Sequence, residues 1–585
     1  MENVFIISDY STWLNSLIEK LGFNEKQVIP FETDLDEDWK IDHWVKTKIP
    51  DNIETILIPI ELGTNNVMSL EGLKIALHLR LLGKIYPKRY LPVIFISNRE
   101  VWQINQMCRD SRDKNHYDYL IGTKGTDFLR PIPEDILPVI TNLLPLSEEE
   151  YFVDFYEHIK ILPNEYMGKH SIANIWGIHR LAMITGHGKL FDKNKKVNEL
   201  ISDLYFKYLT AYRGETFSNA IKELFIESSG KNILLIDDEE NKGWSDLLKV
   251  LFKDSNFEFV PSGKNFLQDA EKKVLEINSS GLPIWDLILL DLRLVADEDA
   301  GENAYKNACD YSGAKLLNVI KCNNKGTQVI IFTASNKAWN MRELIDLGAD
   351  GYYVKESPEY HQDLSFSLNS FKKFYDQVNY CYKKAFLKKI FAQLDPIINI
   401  CQDELNKKPV KYGLSISRSL VEKYYDQFII FKKLLVDFPF ELKFSFSTLI
   451  IIIEEIIKEI YCQEGDEQIV QIDMLSKHKC NYLKNGNRFL ALTPVQSGKG
   501  YTADEFKLVT HEEFNKYSKQ DKDMPFNYRL TCVLHFRYNL PLDSTIFNFF
   551  EIYNLRSTAV FHSGSKLVNM EDLCLMLKLL RILIR

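Results

Sequence analysis

What this chain lacks narrows its chemistry first. None of its nine cysteines stands in a C-x-x-C pair; Cys108, Cys309, Cys322, Cys381, Cys401, Cys462, Cys480, Cys532 and Cys574 are scattered. That spacing argues against a zinc site or a disulfide framework and fits a reducing cytoplasm. Long apolar runs are missing as well. The run Leu449 to Ile453 is stopped by Glu454 and Glu455, far short of the roughly 20 residues that a membrane span needs. The opening, Met1 to Asp9, goes directly into a strand pattern without the marks of a signal peptide. The formal net charge of −9 predicts no bulk attraction to nucleic acid, although the final third is closer to neutral or slightly basic. There is no complete phosphate loop. The stretch Gln496 to Gly500 lacks the first glycine of G-x-x-x-x-G-K-[ST] and the hydroxyl residue after Lys499. No helix-turn-helix pattern is evident.

What is present is a set of apolar strands that end in chemistry. At 585 residues with 45% hydrophobic content, the chain should hold three or four domains. The run Asn232-Ile-Leu-Leu-Ile ends in Asp237, Asp238, Glu239 and Glu240. A second apolar run, Leu287 to Leu290, ends in Asp291; a third, from Val329, ends in Thr333; a fourth, Gly351 to Val354, ends in Lys355. Parallel strands of an open α/β sheet present their carboxyl ends along one edge, so three carboxylates, a hydroxyl and an ammonium should converge there. Clustered carboxylates repel one another unless a hard cation with oxygen ligands neutralises them, and Mg²⁺ on Asp237, Asp238 and Asp291 is the natural choice. Asp291 could then attack a phosphoryl group, whose oxygens the metal, Lys355 and Thr333 would meet.

This order of strands and residues resembles the receiver domain of bacterial response regulators over about residues 230–375. The resemblance implies that Asp237 and Asp238 bind Mg²⁺, that Asp291 is phosphorylated, and that Thr333 and Lys355 sense the phosphate. Tyr352 matches the aromatic whose rotamer reports phosphorylation. The phosphodonor would be a histidine kinase or a phosphotransfer protein. Two departures stand out. The connection after Asp291 is long and carries Asp297, Glu298, Asp299 and Glu302, and Lys355 is followed by Glu356 instead of proline. A reading that keeps the fold and drops the chemistry stays open, since a fold does not carry its function with it.

Residues 1–140 repeat the receiver pattern with its chemistry removed. Strands are expected at 4–7, 55–58, 92–96 and 117–121, with helical periodicity between them. Only Asp9 follows the first strand, Pro59 stands where the phosphorylated Asp should be, and Ile96 stands at the Thr position. No lysine closes the fifth strand. This is a pseudo-receiver pattern. Residues 141–230 look mostly helical, and His170 and Asn174 lie one helical turn apart. A hydrogen-bonded contact with a neighbouring receiver is the expectation there; a phosphotransfer histidine is the alternative.

From about residue 376 the pattern turns helical, with strand character at 488–493, 506–510 and 528–536 and a last helix over 570–584. The phenylalanines between Phe428 and Phe446 are expected in its core. Near the end, Arg556 and His562 are separated by five residues and followed by Gly564 and that last helix. The arrangement resembles the R-x(4–6)-H motif of HEPN domains, which are helical, usually dimeric, and often metal-independent ribonucleases. The resemblance implies that His562 is an acid/base and that Arg556 steadies a phosphate charge. Ser557 replaces the usual Asn after the Arg. The expected architecture is therefore multidomain α/β plus α: two flavodoxin-like doubly wound parallel sheets and a mainly helical C-terminal domain with a small β insertion. Its boundaries are 1–140, 141–230, 231–375 and 376–585. The expected function is response-regulator signalling in the cytoplasm, with Asp291 controlling an RNA-cleaving homodimeric output in stress response or antiphage defence. The alternative is a phospho-regulated adaptor that binds other proteins.

Overall fold

The computed structural model describes residues 2–584 apart from 33–34, 36, 64–69, 84–85, 111–116, 160, 164–168, 189, 191–201, 214–222, 296–306, 335–337, 358–363, 407–417, 463–470, 474–478, 482–488, 493–505, 510–525 and 556–566. The chain forms two compact units. One comprises residues 1–270, 288–315 and 330–378; the other comprises 271–287, 316–329 and 379–585. Among the described residues no helix is long and apolar enough to cross a membrane.

The first sheet contains β1 (Val4–Ser8), β2 (Val28–Pro30), β3 (Thr55–Pro59), β4 (Val93–Ile96) and β5 (Thr126–Leu129), all parallel, in the order β2-β1-β3-β4-β5. The inner strands are buried from end to end because helices cover both faces, which is why they read as continuous apolar runs. Helices Thr12–Leu21 and Pro133–Asn142 pack Leu14, Leu17 and Ile136 on one face. Helices Asp38–Lys48 and Glu71–Arg80 pack Trp44, Val45, Leu73 and Leu77 on the other.

The fifth strand lies later than the sequence pattern suggested. Residues Tyr117–Leu120 form a 3-10 turn, and the strand is Thr126–Leu129. The hydroxyls of Thr123 and Thr126 both donate to the Leu120 carbonyl, at 2.9 and 3.0 Å. They close a turn where the local β-propensity favoured a strand.

Two helices of the following segment stay in the same unit. Helix Lys169–Ile184 and helix Leu204–Arg213 pack together through Ile172, Ile175, Trp176 and Phe206. The second is fastened to the first α/β region by buried charges. Lys207 Nζ donates to Asp42 Oδ1 at 2.5 Å and to the His78 carbonyl at 3.0 Å, and lies 3.2 Å from His78 Nδ1. Asp38 accepts from the Leu204 amide at 3.0 Å and lies 3.3 Å from His78 Nε2. Lys207 Nζ has no proton acceptor to spare, so His78 Nδ1 must accept and Nε2–H must donate: the neutral tautomer.

The second sheet repeats the topology. It contains β6 (Asn232–Ile236), β7 (Asn256–Phe259), β8 (Leu287–Leu290), β9 (Gln328–Thr333) and β10 (Gly351–Val354), in the order β7-β6-β8-β9-β10. Its short edge strand β7 has four residues, mostly exposed, and leaves too little periodicity to read in advance. Helix Trp244–Leu251 buries Trp244, Leu247, Leu248 and Leu251, and helix Leu364–Lys384 buries Phe371, Phe374 and Val378. The last of the divisions between the two units, after Val378, falls inside this helix.

In the second unit, helices Leu387–Leu405, Arg418–Asp437, Leu442–Cys462, Ser544–Leu555 and Met570–Ile584 share one core, with Leu394, Phe431, Ile453, Leu577 and Leu580 inside it. Strand pairs Gln471–Asp473 with Lys479–Asn481 and Phe489–Leu492 with Phe506–Val509 are antiparallel. Two expectations fail here. Residues 528–536 are helical, running from Phe526–Cys532 into a π-helical turn Val533–Arg537. Tyr528, Leu530, Cys532, Leu534 and Phe536 alternate with Arg529, Thr531 and His535, a strand-like period that burial on nearly every side overrides. Phe428, Phe431 and Phe446 are core, but Phe438, Phe440 and Phe444 are half-exposed. Phe438 and Phe440 sit in the turn between two helices and Phe444 in the first turn of the second, all outside the stripe Val421, Tyr424, Phe428, Phe431 and Leu435 that faces inward.

The buried latch on Lys207 sets a pH dependence. Burial holds His78 below its usual value, and the neighbouring Lys207 ammonium adds to that effect. Burial alone would raise the Asp42 carboxyl, but Lys207 and Lys46 outweigh it and hold it well below the carboxylate range. A histidine depressed in the folded state contributes fully above its unfolded value of about 6.5 and weakens the fold as pH falls below it. Asp42 adds a loss only at much lower pH. The thermal midpoint of the wild type should therefore fall between pH 7 and pH 5.5 more steeply than that of His78→Gln; equal slopes would show that His78 is not the titrating group.

Candidate functional site

The carboxyl ends of β6, β8 and β10 bring the site together. Asp237 and Asp238 follow β6, Asp291 follows β8, and carboxylate oxygens of all three lie within 4.8 Å of one another. Lys355, immediately after β10, bridges two of them: its Nζ is 2.7 Å from Asp237 Oδ2 and 3.0 Å from Asp291 Oδ2. Asp237, Asp291, Thr333 and Lys355 are fully buried. The Lys355 ammonium also lies 5.3 Å from the ring centres of both Trp244 and Phe332, a geometry in which ring faces attract a cation.

Backbone groups hold the acids in place. Asp291 Oδ1 accepts the Leu292 amide at 2.6 Å, and Asp237 Oδ1 accepts the Glu239 amide at 3.0 Å. A glycine makes the approach possible. A Cβ on Gly313 would stand 2.1 Å from the Asp291 carbonyl oxygen and 2.6 Å from that of Leu292, so the helix that begins at Ser312 can pack there only without a side chain at this position.

The charge count of the cluster is uneven. Asp237, Asp238 and Asp291 carry three negative charges against one from Lys355, while Glu239 pairs with Lys242. Burial, followed by Asp291, Asp237 and Glu239, pushes the Asp238 carboxyl up to about 7. Burial raises Asp237 also, against the pull of Lys355. For Lys355 burial favours loss of the proton, but the two carboxylates prevail and its value rises. Among the described residues Asp238 Oδ1 is buried without a hydrogen-bond partner. Two uncompensated charges and an orphaned carboxylate oxygen fit a divalent cation with oxygen ligands.

Tyr352 is 43% exposed, and its amide donates to the Gln377 side chain at 3.0 Å. It lies beside a cavity of about 380 Å³ lined by Lys355, Glu356, Phe366, Lys373 and Gln377. The acids Asp297, Glu298, Asp299 and Glu302, the pair Arg556 and His562, and the stretch 496–500 lie outside the described residues. Sequence reasoning missed Trp244 and Phe332 as walls for Lys355, because aromatic residues in apolar runs read simply as core.

The first sheet has the same edge with different chemistry. Gly72 approaches the Pro59 carbonyl as Gly313 approaches that of Asp291, so Pro59 occupies the equivalent position. Ile96 pairs with Leu129 as Thr333 pairs with Val354, and Arg130 follows where Lys355 does. Asp9 spends both oxygens on the amides of Ser11 and Gly63, at 3.0 and 3.1 Å. A family model described as Inactive Receiver domain matches residues 3–129, and no curated protein matches the chain. The N-terminal region is thus an inactive receiver domain on a parallel five-stranded sheet.

Two substitutions test the site. Gly313→Ala should destabilise the protein by about 1–3 kcal/mol and abolish Mg²⁺ binding measured by calorimetry, because the loop that carries Asp291 must move. Lys355→Met leaves two buried carboxylates without their cation and should cost roughly 3–5 kcal/mol in denaturant unfolding. Added Mg²⁺ should restore part of that loss; the absence of any recovery would argue against a cation site.

Proposed function

We propose that residues 231–375 are a phosphorylatable receiver and that the chain is a phosphorylation-regulated signalling protein. The observation that carries this reading is the buried convergence of Asp237, Asp238 and Asp291 around Lys355. Mg²⁺ held by the three carboxylates would neutralise them and the oxygens of an incoming phosphoryl group. An Asp291 oxygen forms the new O–P bond while the donor's P–N or P–O bond breaks, and the leaving imidazole or carboxylate keeps the electron pair. The Lys355 ammonium then leaves its bridge between Asp237 and Asp291 for the phosphoryl oxygens, and Thr333 at the end of β9 offers its hydroxyl. Tyr352, half-exposed beside the Lys355 loop, is the aromatic that responds.

On this reading a histidine kinase or phosphotransfer protein is the donor, the protein works in the cytoplasm as a homodimer, and residues 376–585 are the output. Support for a HEPN-like ribonuclease is positional: Arg556 and His562 fall between helices Ser544–Leu555 and Met570–Ile584. Stress response or antiphage defence is the setting that resemblance suggests.

Full-length protein incubated with Mg²⁺ and acetyl phosphate should gain one phosphoryl group by intact mass, sensitive to hydroxylamine as an acyl phosphate is. Asp291→Ala should gain none. Labelled RNA added to the same samples separates the two outputs. Cleavage that is lost in His562→Ala supports the nuclease, and phosphorylation with no cleavage supports the adaptor. Wild type that stays unmodified under every donor tried would overturn the receiver reading.

A further inference from the structure

Helix Lys169–Ile184, which belongs to neither α/β region, touches two of the three loops that build the carboxylate site, those after β6 and β10. On one side Asn174 donates to the Glu239 carboxylate, beside Asp238, and accepts from Trp244 Nε1 at 3.1 Å. Ser171 reaches the same carboxylate at 3.4 Å. Trp244 is one of the two rings on which the Lys355 ammonium lies. In the middle of the helix, a Cβ on Gly177 would stand 3.3 Å from Lys355 Cβ, 3.3 Å from Trp244 Cζ2 and 3.4 Å from the Glu356 amide nitrogen. On the other side Arg180 Nε lies 3.3 Å from Glu356 Oε2, and its Nη2 donates to Ser367 Oγ at 2.8 Å. Ser367 in turn donates to Glu356 Oε2 at 2.8 Å. Arg180, Glu356 and Ser367 are 1%, 3% and 0% exposed. Ser171, Asn174, Gly177 and Arg180 are three residues apart in turn, so these contacts follow one strip of adjoining positions that winds partly round the helix.

This accounts for a departure seen in the sequence. Glu356 directly follows Lys355, at the position where proline is usual in receivers. A carboxylate buried there persists only with partners; Ser367 supplies a hydroxyl from within the receiver-like region, and the charged partner, Arg180, comes from a helix outside it.

We propose that this helix is the element that reads phosphorylation of Asp291 and carries it to the inactive receiver domain. The inference rests on the phospho-acceptor reading above. In the described arrangement Lys355 is held by Asp237 and Asp291. A phosphoryl group on Asp291 offers the ammonium new oxygens, and when the lysine follows them its backbone and that of Glu356 adjust. Glu356 is tied to Arg180 in a buried pair, and Gly177 leaves no gap against Lys355, so the helix responds to the movement. From there the packed route is short. Trp176 stacks on Phe206 with ring centres 6.4 Å apart, and Phe206 adjoins Lys207, the residue latched to Asp42 and His78 of the N-terminal region. Lys355 is the two-position element that a coupled pair of sites requires, and the coupling works in both directions.

The test uses the full chain with Mg²⁺ and beryllofluoride as the phosphoryl mimic. Hydrogen exchange of the wild type should change across residues 169–184 when the mimic binds, and calorimetry should give its affinity. Arg180→Ala and, as a milder second variant, Asn174→Ala should each change that affinity by roughly 5- to 150-fold, and Arg180→Lys should recover part of it. Failure of the wild type to bind the mimic would overturn the phospho-acceptor reading and this inference with it. Wild-type binding, with exchange over 169–184 unchanged and the Asn174→Ala affinity within twofold, would overturn this inference alone.

Discussion

A buried ammonium between two buried carboxylates is the constraint on which the second α/β region depends. Lys355, Asp237 and Asp291 each lose their hydration completely, and none could remain charged there without the others. Their pairing fixes how β6, β8 and β10 end relative to one another and which loops can follow. The same pairing leaves two negative charges over, on a site where one carboxylate oxygen has no partner among the described residues. A cluster that is balanced in geometry but unbalanced in charge is suited to a cation and to a phosphoryl group arriving with it.

The two α/β regions show how little the sheet itself decides. Their strand orders match and their glycine approaches match, at Gly72 and Gly313. Yet in the first region Pro59 stands where Asp291 stands, and Asp9 is consumed by backbone amides. Its surface has taken another role: Asp38, Asp42 and His78 hold the helix that carries Lys207. One copy of the fold keeps a cluster of charged groups at its edge, while the other keeps its packing and offers a place to be held.

Much of this was legible in advance where chemistry sits at the end of an apolar strand. Four strand tips of the second region, the missing acids of the first and the last helix of the chain follow from local pattern alone. Pattern failed where burial is complete or the segment is short. Residues 528–536 alternate apolar side chains with Arg529, Thr531 and His535 and so read as a strand until burial among helices overrides the pattern, and the β7 edge has only four residues. Phe438, Phe440 and Phe444 looked like core because composition does not say which turn ends a helix. Arg556 and His562 are legible only as a motif.

By itself, then, the amino-acid sequence determined which residues could do chemistry and in what order the strands present them, because those features are local. Only the tertiary structure decided that a single lysine bridges two of the acids, that Trp244 and Phe332 wall it in, and that Asn174, Gly177 and Arg180 from a helix more than fifty residues upstream of Asp237 complete the surroundings. Contacts between residues so far apart in the chain leave no periodicity behind them. They exist because burying a charge or an indole N–H requires a partner, and folding selects whichever segment can bring one.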